Sequence, residues 1–171
     1  MLNVQKVSPV QVEDNFLTQR QFKELQEWFM NNCPWMYCPY VVGPDVDHPD
    51  DFQFMHLFWY PNRGVVSENI NVIAPILDKL NPSVWVRIKA NCRLKTDEVR
   101  VGGMHTDVGD YGHTTSIFYI NSNDGYTSFE NGDTYNSVEN RMITFPSHLR
   151  HAGSTPSNTK ARFVINFNYF Q

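Results

Sequence analysis

Helical spacing early in the chain, a succession of alternating strands from residue 84 onward, and Asn-Gly and Asn-Asp-Gly steps between those strands predict an α+β fold. The strands are expected to fold as a sandwich or jelly roll, with N-terminal helices packed on one outer face. At 171 residues the chain reads as one domain, 1–171. A domain of that size buries roughly 70% of the surface its unfolded form exposes, enough for a core of its own.

The elements follow in order. Leu2, Val4, Val7 and Val10 surround Pro9 within residues 1–14, which predicts a short strand at a sheet edge, where a missing amide is tolerated. From Phe16 to Phe29 the apolar residues Phe16, Phe22, Leu25, Trp28 and Phe29 recur at helix-like intervals among Gln, Arg, Lys and Glu, the pattern of an amphipathic helix. Asn31-Asn32-Cys33-Pro34 ends it, because a residue before proline is driven out of the helical region. Trp35 to Tyr60 is aromatic and punctuated by Pro44 and Pro49, so two short extended runs should flank a turn. Here His48 is expected as a solvated loop residue, and His56, inside an aromatic strand, as a hydrogen-bonded core histidine. Ser67 is placed to cap a second helix with an inward face of Ile70, Ile73, Ile76, Leu77 and Leu80, bent by Pro75 and closed by Asn81-Pro82. Strands are then expected over 84–90, 114–120, 126–129, 142–145 and 161–170, with Asn123-Asp124-Gly125 and Asn131-Gly132 as turns.

Composition excludes several function classes. A formal charge of −4, a pI near 5.8 and the lack of a Lys/Arg cluster argue against a protein that lives on phosphate backbones, so no nucleic-acid partner is expected. No stretch approaches the roughly 20 apolar residues needed to span a bilayer, and no long apolar run follows Lys6. No membrane partner is expected, and the expected location is the cytoplasm. Cys33, Cys38 and Cys92 cannot all pair with one another and lack the spacing of a zinc ribbon, so they read as free thiols of a reducing compartment.

The chemistry-bearing stretch is Gly102-Gly103-Met104-His105-Thr106-Asp107. On an extended segment His105 and Asp107 project to the same side, offering an imidazole and a carboxylate to one ion. A third ligand must come from elsewhere, and a late jelly-roll strand could bring it. His148 and His151 compete for that place, with His113 a weaker candidate. Arg162 shares a strand face with Val164 and Asn166, opposite Phe163, Ile165 and Phe167. Burying a guanidinium there is costly unless an anion meets it, and a dicarboxylate would suit its planar fork. Tyr119 could add a hydroxyl to the same carboxylate.

With these residues in view the chain resembles the iron(II)- and 2-oxoglutarate-dependent oxygenases, and among them the prolyl-4-hydroxylase-like branch. The resemblance rests on His105-Thr106-Asp107, on Thr115-Ser116-Ile117-Phe118-Tyr119-Ile120-Asn121, on Phe145-Pro146-Ser147-His148-Leu149-Arg150-His151 and on Arg162-Phe163-Val164, within a motif-bearing core at 84–170. It implies a double-stranded β-helix, with His105, Asp107 and His151 as metal ligands and catalytic centre. It also implies that Arg162 and Tyr119 hold the far carboxylate of 2-oxoglutarate, with Thr115 as a further hydrogen bond. Where many prolyl hydroxylases have a tyrosine on the strand before the metal pair, this chain has 86–91, so that Asn91 or Arg87 takes the place near the cosubstrate. The segment from Cys92 to Gly103 reads as a longer and more charged loop than the family pattern. Small members of this kind are carried by marine tailed phages, which implies a viral source and a host bacterial cytoplasm.

The implied cofactors are Fe(II), 2-oxoglutarate and O2, with ascorbate as an accessory reductant. The implied reaction couples oxidative decarboxylation of 2-oxoglutarate to succinate with oxidation of a substrate C–H bond. Peptidyl proline is the first substrate the resemblance suggests; other peptide side chains, free amino acids and small metabolites stay open. Two other readings compete. A cupin-like enzyme would use the same triad without 2-oxoglutarate, and a non-catalytic jelly roll would be a structural or binding module.

Overall fold

A computed structural model describes residues 8–109 and 111–171. In chain order the elements are β1 (Gln11–Glu13), α1 (Gln19–Asn31), β2 (Met36–Cys38), β3 (Gln53–Tyr60) and β4 (Gly64–Val65). A 3-10 turn (Ile70–Ile73) then runs into α2 (Ala74–Leu80), and β5 (Val84–Leu94), β6 (Thr114–Tyr119), β7 (Tyr126–Phe129), β8 (Thr134–Asn136), β9 (Arg141–Pro146), β10 (His151–Gly153) and β11 (Ala161–Phe170) follow. The larger sheet is ordered β1-β9-β6-β11-β5-β3-β2, with β4 paired to β3, and every pairing is antiparallel. The smaller sheet is β10-β7-β8, extended by isolated bridges from Val101 to Ser154 and from His105 to His151. This is the expected jelly roll.

Alternation along the strands separates two apolar clusters. On the outer face of the larger sheet, Phe58, Ile88, Phe118, Ile165 and Phe167 pack under the helices with Phe22, Leu25, Phe29, Ile73 and Ile76. On the inner face, Ile117, Tyr119, Ile143, Phe145 and Val164 pack with Phe129 of the smaller sheet. Period-2 alternation therefore turns every other residue of β5 and β11 toward the space between the sheets. The outer cluster is aromatic, with Phe58 at 6.0 Å from Phe29 and 4.6 Å from His56 between ring centroids. Phe58 is fully buried, so Phe58→Ala is expected to cost about 3–5 kcal/mol, read as a lowered midpoint in denaturant.

Local chemistry explains where the expected elements shift. The first helix begins at Gln19, not Phe16, because Thr18 forms a capping box with Gln21, leaving Phe16 and Leu17 as core residues ahead of the cap. Among the described residues the early strand is Gln11–Glu13, at the sheet edge beside β9; Leu2, Val4 and Val7 lie outside the described residues. Ser67 does not cap the second helix. Its hydroxyl bonds His56 Nε2 at 2.8 Å, and Pro75 instead sits in the first turn of α2, where its missing amide costs nothing. His56 is the hydrogen-bonded core histidine expected, while His48 is exposed. Strand β5 runs through to Leu94, so Cys92–Leu94 belongs to the sheet and not to a loop. The three cysteines are free, and burial pushes the thiols of Cys33 and Cys92 up to about 12. No helix among the described residues is long and apolar enough to cross a membrane.

Candidate metal centre and its cavity

His105, Asp107 and His151 present ligand atoms that all lie within 4.8 Å of one another. Their closeness is built into the backbone. His105 N–H donates to His151 O and His151 N–H donates to His105 O, both at 2.9 Å, so the segment after Gly103 is paired directly with β10. His148, the competing candidate, is exposed and stands apart from this group. His113 is buried, also outside it.

Side-chain hydrogen bonds fix both imidazoles in one orientation. His105 Nδ1 lies 2.9 Å from Gly103 O and His151 Nδ1 lies 3.2 Å from Leu149 O. A carbonyl accepts only, so each Nδ1 carries a proton, which leaves Nε2 as the nitrogen that offers a lone pair when the ring ligates a metal. Those two atoms face Asp107 Oδ1, at 3.8 Å from His105 and 4.0 Å from His151. His151 Nε2 is buried without a hydrogen-bond partner among the described residues. Burial pulls the His151 imidazole below its ordinary value, against the opposing pull of Asp107, which favours the neutral form that ligates metals. Two imidazoles and one carboxylate meeting around the orphaned His151 Nε2 fit a divalent metal, and this donor set with open positions suits Fe(II).

Asp107 is held from behind. Burial pushes its carboxyl up, but Arg87, His151, His105 and the Asn168 amide outweigh it and hold the group well below the usual carboxylate range. Arg87 Nη2 stands 3.0 Å from Oδ1, an ion pair without hydrogen-bond alignment. Asn166 Nδ2 lies 3.3 Å from both carboxylate oxygens, and Asn168 Nδ2 3.1 Å from Oδ2. Asn168 in turn accepts from Arg87 Nε at 3.2 Å and donates to Thr115 Oγ1 at 3.0 Å. Thr115 thus meets the site through Asn168 and does not border the cavity. Asn168→Ala is expected to lower divalent-metal affinity about 10- to 100-fold with the fold retained, measured by metal titration beside circular dichroism. An unchanged affinity would deny Asn168 a positioning role.

The cavity between the sheets spans about 480 Å³ of empty space, its solvent mouth included. His105, Asp107 and His151 border it, as do Lys89, Asn91 and Arg93 of β5, Thr127 of β7 and Arg162, Val164 and Asn166 of β11. Arg162 is buried and makes no ion pair among the described residues. Its Nε donates to Ser137 Oγ at 2.7 Å and its Nη2 to Thr127 Oγ1 at 3.1 Å, while the guanidinium sits 5.5 Å from the Tyr119 ring centre. Tyr119 stands behind this group and donates to the same Thr127 oxygen at 2.8 Å; Thr127 is the member that borders the cavity. Gly125 leaves the space Arg162 needs, since a Cβ there would come within 2.8 Å of Arg162 Cδ. Asn91 borders the cavity with a buried Oδ1 that has no hydrogen-bond partner among the described residues.

Several contributors were not singled out by the sequence reading. Asn168, Thr127, Ser137 and Lys89 belong to this set, as does Arg93, buried against Asp51 at 2.9 Å. The signal available for Asn168 was continuation of the Arg162, Val164, Asn166 face by one more step of two.

No protein-family model and no curated protein matches the chain. Solved structures do. A prolyl hydroxylase from Trichoplax adhaerens, in complex with a hypoxia-inducible-factor peptide, is 14% identical with a TM-score of 0.65, covering 96% of this chain and 84% of that one. A prolyl-4-hydroxylase from Pseudomonas putida is 10% identical with a TM-score of 0.61, covering 96% and 94%. An oxidoreductase of the 2-oxoglutarate and Fe(II) oxygenase family from Burkholderia pseudomallei is 12% identical with a TM-score of 0.64, covering 94% and 85%. At such identities the likeness is one of fold, and it is the jelly roll built above.

Proposed function

We propose that this chain is an Fe(II)- and 2-oxoglutarate-dependent oxygenase, acting as a hydroxylase. The observation that carries the reading is the pairing of two unmet needs in one cavity: among the described residues, a buried imidazole nitrogen of His151 has no hydrogen-bond partner and a buried guanidinium on Arg162 has no carboxylate to meet it. Leaving either so costs free energy, which a metal at one end and an anion at the other would recover. The cupin-like alternative leaves Arg162 unexplained, and the non-catalytic one leaves both.

His105, Asp107 and His151 would hold the metal. Bound together, Fe(II) and 2-oxoglutarate supply the O2-dependent decarboxylation to succinate that drives oxidation of a substrate C–H bond. Arg162 receives the far carboxylate of the cosubstrate through its guanidinium, with the Thr127 hydroxyl beside it and Tyr119 bonded to that hydroxyl from behind. Asn91 offers an amide at the cavity wall, and Thr115 acts through Asn168 on the orientation of Asp107. Ile117 and Val164 supply apolar wall that excludes water. A prolyl residue in a peptide is one substrate class within this reading and a small metabolite is another. A tailed-phage source, a host bacterial cytoplasm and ascorbate as reductant rest on the sequence resemblance alone.

Anaerobic titration of Fe(II) and then 2-oxoglutarate tests the proposal. A visible charge-transfer band that needs both additions is expected; no band, with both shown to be present at saturating concentration, would overturn it.

A further inference from the structure

Matching the charges of the cavity leaves one cation over. Arg87 meets Asp107 at 3.0 Å and Arg93 meets Asp51 at 2.9 Å. Arg162 is the group the cosubstrate would satisfy under the function proposed above. Lys89 borders the same cavity, and its ammonium has no hydrogen bond or ion pair among the described residues.

The position of Lys89 separates it from the Arg162 end. Across the β5–β11 ladder Arg93 faces Arg162 and Lys89 faces Asn166. Four residues along a strand is about 13 Å of backbone. Lys89 therefore belongs to the triad's end of the cavity, opposite the asparagine whose amide touches both oxygens of Asp107. The far carboxylate of a dicarboxylate stretched from the triad to Arg162 would not reach it, and the near one is assigned to the metal. Burial is the main cause that brings the Lys89 ammonium down to about 8, with Arg87 adding to the effect and Asp107 and Cys38 opposing it. An ammonium so placed is short of negative charge, and an arriving anion supplies it.

We propose that the molecule oxidised in this cavity is a small carboxylic acid whose carboxylate is held by Lys89 beside the triad. The assignment rests on the oxygenase reading for the word "oxidised" and on Lys89 for the carboxylate. An internal prolyl residue of a peptide brings no charge to this position and would leave the ammonium desolvated against a neutral chain, at a cost the small acid avoids. Lys89 is here a specificity residue, and its contribution is to substrate affinity and orientation.

The test uses acetate as the carboxylate probe and acetamide as its neutral counterpart, titrated by heteronuclear NMR into zinc(II)-loaded protein saturated with 2-oxoglutarate. Acetate is expected to saturate and acetamide not to. Lys89→Met should weaken acetate at least about tenfold while Lys89→Arg stays within about threefold of wild type, the behaviour of a charge-assisted contact. The affinity for 2-oxoglutarate should change less than about twofold in Lys89→Met, since that anion is assigned to Arg162. Equal acetate affinity in wild type and Lys89→Met overturns the proposal, as does absence of saturable acetate binding in wild type. A loss of 2-oxoglutarate affinity in Lys89→Met also overturns it, by giving Lys89 to the cosubstrate. Lys89-dependent acetate binding in a protein that takes no 2-oxoglutarate would instead sink the oxygenase reading and leave the anion site standing.

Discussion

His151→Ala is expected to abolish iron-dependent succinate production, a loss of at least about 100-fold, since removing a ligand exceeds the 10- to 100-fold typical of its outer supports. The imidazole removed is the one whose Nε2 has no hydrogen-bond partner among the described residues, so its loss takes away a candidate metal ligand without breaking a hydrogen bond at that atom. The fold should therefore survive, as circular dichroism would show. His148→Ala is the control. That residue is exposed three positions earlier in the chain and outside the triad, and its variant should keep most of the activity. If the two variants exchanged behaviours, the third ligand would be His148.

Arg162→Ala should raise the dissociation constant for 2-oxoglutarate by about 30-fold or more, corresponding to the roughly 2–5 kcal/mol lost when one partner of a buried charged pair is truncated. Metal affinity should change little, because Arg162 touches Ser137 and Thr127 and none of the three metal-binding candidates. Burial lowers the guanidinium pKa, with Tyr119 opposing it, and an arginine side chain keeps its charge at neutral pH. Arg162→Lys should recover part of the affinity, since it restores the charge but not the planar fork. Calorimetric titration reads all three, and unchanged 2-oxoglutarate affinity in Arg162→Ala would remove the anchor.

How much of this was legible in the sequence depends on the range of the signal. Strands β5, β6 and β11 announced themselves because alternation over six or more residues is local. The three-residue strands β8 and β10 carry too little pattern, and β10 holds His151, so one of the three candidate ligands sat on an element that periodicity could not find. The His-x-Asp pair and Arg162 were visible as residue types on extended segments. What their surroundings would be was not, because the ion pair of Arg87 with Asp107 and that of Arg93 with Asp51 depend on sheet register and on loops that no single segment encodes. Thr115 illustrates the limit: the residue was singled out, but its route to the site runs through Asn168, a partner 53 positions away.

The mutual pairing of the His105 and His151 main chains carries a further consequence. Because each residue donates to the other, the two imidazoles are mounted on a common hinge pin and cannot drift apart independently. A metal arriving at such a centre has little rearrangement left to impose, so its affinity is not diminished by the work of gathering ligands. The same arrangement would make departure collective: opening that one rung frees both candidate nitrogen ligands together, and the lifetime of a metal held there would be tied to the breathing of a single pair of amides.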